Sequence, residues 1–188
     1  MRLLAGLTAG VLVLSACGPA AVAPTASPTV AATPSPTPAP TPQTRFVFTA
    51  DLKPSNEVPP IANAEATCAG KGTLTLNTTK DASGTITAAT AQFESDITGC
   101  PADTKINIGH IHKAAAGANG GVVINSGLAA GELTLTAGAG KINKTTSALE
   151  AAPLAAAIDL IANPATYYMN WHSTLNAGGI LRGQLVKV

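Results

Sequence analysis

Lys71-Gly72-Thr73-Leu74-Thr75-Leu76-Asn77 carries the clearest structural signal in the chain. Apolar and polar residues alternate strictly through it, which is the period of a strand with one face on a core and one in water. Asp81-Ala82-Ser83-Gly84 follows with turn chemistry, and Thr85 to Ser95 resumes a strand pattern, so the pair predicts a hairpin. Upstream, Phe46–Leu52 is β-branched and aromatic and predicts another strand, broken by Ser55-Asn56-Glu57-Val58-Pro59-Pro60. Downstream, strands are predicted at Ile106–Lys113, Gly121–Ile124, Glu132–Thr136, Tyr167–Ser173 and Ile180–Val188, separated by Gly, Asn and Pro. Ala148–Ala162 is the exception, rich in Ala and Leu and ended by Asn163-Pro164. Ser147 and Glu150 there have capping-box spacing, or Pro153 occupies the first turn. The whole predicts an all-β, antiparallel β-sandwich, immunoglobulin-like or superoxide-dismutase-like, with one short helix crossing its edge.

Composition narrows the classes. Aromatics are 3% of the chain, so the core must be built from Ala, Val, Ile and Leu around Phe46, Phe48, Phe93, Tyr167, Tyr168 and Trp171. Without Arg2, basic and acidic residues balance, and no basic block remains. Nucleic-acid binding needs a positive footprint and is therefore not expected.

The amino terminus reads as an export signal at residues 1–16: Arg2, the apolar run Leu3 to Ala16, then Cys17. The run is shorter than the about 20 residues a helix needs to cross a bilayer. Leu14-Ser15-Ala16-Cys17 closely resembles the bacterial lipobox, which implies cleavage before Cys17 and lipid attachment to its thiol. An ordinary secretory signal cut after Ala16 is the alternative. Several acyl chains together hold a protein stably on a membrane. Gly18 is not the aspartate that, by the resemblance, would retain a lipoprotein at the inner membrane. From there to residue 44 the chain is uncharged, with prolines at 19, 24, 28, 34, 36, 38, 40 and 42. Proline locks φ and removes amide donors, so residues 17–44 are expected to form an extended stalk of up to roughly 80 Å. The reading is thus of an extracytoplasmic domain at 45–188, lipid-anchored to the bacterial cell membrane or outer membrane.

The chain has three histidines, His110, His112 and His172. In a strand, His110 and His112 point the same way, and His172 on another strand would complete a three-nitrogen set for zinc or copper with one position open. Ile106 and Ile108 precede them at the same period, so that face is expected to run from the core to a wet rim. The alternative is three rim histidines bonded to backbone and water. Tyr168, Asn170 and His172 are expected on one strand face, Met169 and Trp171 on the other. Other motifs fail. Gly138-Ala139-Gly140-Lys141 lacks the Ser/Thr of a phosphate loop and reads as a turn, as does Gly120-Gly121-Val122; there is no Gly-x-Ser-x-Gly.

Ser55–Pro60, Gly109–His112, Gly117–Val123, Tyr168–His172 and Gly178–Leu185 together resemble, in order, the successive motifs of the CHRD domain. The resemblance covers residues 46–188. It implies a β-sandwich module of the kind found in chordin and in many microbial secreted proteins; it carries no growth-factor binding over to a bacterial lipoprotein. One departure is Trp171, where the family usually has a smaller aliphatic residue, so packing beside His172 is expected to differ. Glu57 and Arg182 lie in the same motifs. They form either a structural ion pair or a partner set for the histidines, with Glu57 fixing an imidazole tautomer. Asn170 is expected to be a structural hydrogen-bonder.

Once Cys17 is assigned to lipid, Cys68 and Cys100 remain, and an even remainder in an exported protein predicts a disulfide, against the alternative of two buried thiols. Three functions stay open: a non-catalytic envelope module with an unidentified protein or envelope partner, a mononuclear copper or zinc protein, and an enzyme at that metal.

Overall fold

A computed structural model describes residues 43–188. The leader, Cys17 and the stalk up to residue 42 lie outside the described residues. Ten strands and one α-helix follow: β1 (Gln43–Leu52), β2 (Ala69–Lys80), β3 (Ile86–Thr98), β4 (Lys105–Lys113), β5 (Val122–Asn125), β6 (Leu133–Thr134), β7 (Gly140–Thr145), α1 (Ala151–Ala162), β8 (Tyr167–Ser173), β9 (Leu181–Gln184) and β10 (Val186–Lys187). They form two antiparallel sheets, one in the order β10-β1-β2-β3-β7 and the other β5-β4-β8-β9, with β6 paired to the start of β4. The described residues form the expected all-β sandwich with a single α-helix.

The alternation in residues 71–77 sorts the side chains onto two faces, with Thr75 buried on the outer one. Gly72, Leu74 and Leu76 face inward with Phe48, Ala50, Ala91 and Phe93 from the neighbouring strands, while on the outer face Lys71 lies in register between Asp51 and Asp96 and forms an ion pair with Asp51. Ile106, Ile111, Met169, Trp171 and Leu181 answer from the other sheet. The β2–β3 hairpin turns through Asp81, whose carboxylate accepts from the amides of Ser83 and Thr85. Its far end is closed by the Cys68–Cys100 disulfide.

Four expectations are revised. Gly140–Thr145, read as a turn at its start, is the edge strand β7 on β3. The predicted strand Ile180–Val188 breaks after Gln184, so that β9 joins one sheet and β10 the other. Glu150 is the helix N-cap and makes no side-chain cap, so the Ser147 capping box is not formed, and Pro153 takes the first turn. Finally, β4 changes phase between Ile106 and Ile108, because Ile106 pairs with Ser173 while Ile108 pairs with His172. That bulge spends one residue, Asn107, without advancing the register. Ile106 therefore faces the core, whereas Ile108, His110 and His112 face outward together.

Trp171 pairs with Gly109 across β4 and β8, and a Cβ on Gly109 would lie 2.0 Å from the indole. The large ring fits on the core side because its partner has no side chain. Its Nε1–H donates to Ser95 Oγ across the core at 2.9 Å, so Trp171 ties the two sheets together on the face opposite His172.

Candidate metal centre

The outward face of the β4-β8-β9 sheet carries His110 and His112 from β4, Tyr168, Asn170 and His172 from β8, and Arg182 and Gln184 from β9. The strand period puts them there, as expected for β8, but they do not form a wet rim. Residues 53–68, 114–121 and 174–179 fold over the sheet, leaving His112 and His172 buried and His110 half-buried. The open side is toward β5, where Asn125 and Val122 beside His110 and His112 are exposed.

The three imidazoles converge. One ring nitrogen from each lies within 4.8 Å of the others, and His110 Nδ1 is 3.2 Å from His172 Nε2. Nitrogens about 2.0–2.1 Å from a tetrahedral zinc stand about 3–3.5 Å apart, so one pair is already at ligand spacing. Hydrogen bonds set the tautomers. His112 Nδ1 is 3.0 Å from the Gly120 carbonyl and His172 Nδ1 is 2.9 Å from the Ala177 carbonyl. A carbonyl only accepts, so both rings carry their proton on Nδ1 and present Nε2 as a lone pair. His112 Nε2 is buried with no partner among the described residues. His172 Nε2 accepts from His110 Nδ1–H, so His110 must pass its proton to Nε2 before ligating through Nδ1.

Electrostatics keep the set neutral, which is the form that binds metal. Burial pushes all three histidines below their ordinary value, His110 to about 4 with help from its two neighbours. For His112 and His172 the carbonyl bonds to Gly120 and Ala177 pull partly the other way, and for His112 the charge of Arg182 adds to the downward push.

The predicted polar partners are assembled differently from either expectation. Arg182 and Glu57 form no ion pair among the described residues. Arg182, 1% exposed, spends its fork on loop 114–121: Ala118 O at 2.6 Å, Ala115 O at 3.2 Å and Asn119 Oδ1 at 3.2 Å. Its Cζ lies 3.6 Å from the centre of the Tyr168 ring. Glu57 sits beside Asn170 and Gly179, not on a histidine. Burial pushes its carboxyl up to about 7, against the pull of Arg182 and an Asn170 bond, and Glu57 Oε1 and Asn170 Oδ1 have no partner among the described residues.

Sequence reasoning missed Gly120, Ala177 and the buried Glu65. Glu65 accepts from Ser173 Oγ at 2.6 Å and also from Asn176, pinning the turn that carries Ala177. Gly120 and Ala177 act through backbone carbonyls, which leave no residue-type signal. Glu65 lies in a short 3-10 turn far from the histidines in sequence.

The five stretches that carry the family resemblance build this one face and its covering loops. A family model described as the CHRD domain matches residues 48–185. The chain belongs to the CHRD domain family. Its CHRD domain is a binding or structural module of the extracellular type. No curated protein and no solved structure matches the chain.

Proposed function

We propose that this protein is a membrane-anchored, extracytoplasmic CHRD module whose outer sheet face holds one zinc or copper ion on His110, His112 and His172. The observation that carries the reading is the convergence of three neutral imidazole nitrogens within 4.8 Å, with two rings locked by carbonyls so that Nε2 points into the site. Carbonyl-anchored imidazoles are the usual support of a metal-ligating histidine. An all-nitrogen set suits copper and zinc better than magnesium or calcium, and three protein ligands leave a position for water or a partner's donor group. The leader and lipobox support the anchor, and the family supports a binding role.

Untagged protein should take up one equivalent of Zn(II) or Cu(II), measured by titration and by elemental analysis after gel filtration. His112→Ala should reduce retained metal to background. Uptake that survives this substitution would place the ion elsewhere.

A further inference from the structure

Among the described residues Arg182 is the one Lys or Arg sealed in the interior, and no carboxylate lies within ion-pair distance of it. Burying a charge is costly unless its donors are used, and all three of its acceptors belong to the 114–121 loop. The next residue, Gly120, is the one whose carbonyl accepts from His112 Nδ1–H. Gly120 also donates its N–H to Tyr168 Oη at 3.2 Å, and a Cβ there would lie 2.0 Å from the Lys113 carbonyl. The loop therefore passes at backbone contact distance over the strand that carries His112.

A second route runs through Tyr168. The guanidinium lies on one face of that ring, and His112 stacks in parallel on it, with ring centroids 4.8 Å apart and planes 6° apart. One side chain thus reaches His112 at its edge, through Gly120, and at its face, through Tyr168. We propose that Arg182 is a positioning residue of the metal centre: by clamping the loop and stacking on Tyr168 it sets the tautomer and ring plane of His112, leaving Nε2 as the ligand. The inference rests on the three-histidine reading of the site. It also explains why the fork matters: a lysine keeps the charge but presents no planar set of donors to three acceptors at once.

The test uses untagged protein, wild type and the variants Arg182→Lys and Arg182→Met. Zinc affinity is read by competition with a chelating dye, and ring-nitrogen NMR shifts report the histidine tautomers in chelator-treated protein. In wild type His112 carries its proton on Nδ1. In both variants zinc binding weakens by about 10–100-fold at unchanged stoichiometry, the range typical for lost partners behind a metal ligand. His112 then shows mixed tautomers, while His172, held separately by Ala177, keeps its own. Variants that bind zinc as tightly as wild type with His112 unchanged overturn the proposal. So does a wild-type His112 protonated on Nε2, a result that needs no folded variant. Failure of wild type to bind zinc strikes the metal reading instead, and the ring shifts still decide whether Arg182 sets His112.

Discussion

Burial makes the charged form of Glu57 unfavourable on the covered face, and its pH dependence follows from that. Its carboxyl titrates at about 7 in the fold against an ordinary value of 4.5, with burial as the main cause. Between those values the native state holds more protons than the unfolded chain, so this group lowers stability as pH rises from about 4.5 to 7. The full span corresponds to roughly 3–4 kcal/mol, at about 1.4 kcal/mol per unit. The histidines titrate with the opposite sign, since their folded values lie below the ordinary one, but they are common to wild type and variant. Unfolding of Glu57→Gln and wild type, compared in chelator, should show the variant gaining relative stability across that window; a flat difference would contradict the account. At this scale the histidine set was legible because a strand repeats every two residues. The locks on the rings were not, because Gly120 and Ala177 act through backbone atoms.

The β2–β3 hairpin shows what alternation reveals and what it hides. Residues 71–77 alternate cleanly, and the strand they mark runs from Ala69 to Lys80 with Cys68 just before it. The disulfide to Cys100 joins the hairpin's open end, 32 residues apart, and in the chain-entropy model a loop of that length contributes about 3–4 kcal/mol. Replacing both cysteines by alanine should lower the unfolding free energy by that amount in denaturant titrations, while zinc uptake by the folded fraction persists. A loss below about 1 kcal/mol would show that the bridge constrains little. Elsewhere local pattern was overridden. β7 begins with the glycine of an apparent turn and is a strand because β3 offers it an edge. The bulge at Asn107 reverses which face Ile106 takes, and a one-residue phase change is invisible to a period count.

For the whole molecule, sandwich, family and disulfide were legible because short alternating strands, ordered motifs and an even cysteine remainder each carry a physical constraint. The covering loops were not, since irregular segments have no period, and it is they that convert an exposed sheet face into a covered site with its open side toward β5. We propose that the domain stands off a membrane on lipid-modified Cys17 and its proline-rich stalk, by the match of Leu14-Ser15-Ala16-Cys17 to the lipobox. Cys17→Ala should abolish labelling by a fatty-acid probe and either release the protein from membranes or block processing; a labelled variant would refute the anchor. The metal centre can be observed by X-ray absorption on untagged protein loaded with one equivalent of zinc. The three-histidine site should give imidazole scattering from three nitrogens at about 2.0–2.1 Å, lost in His112→Ala. An oxygen-only shell without imidazole scattering would contradict it.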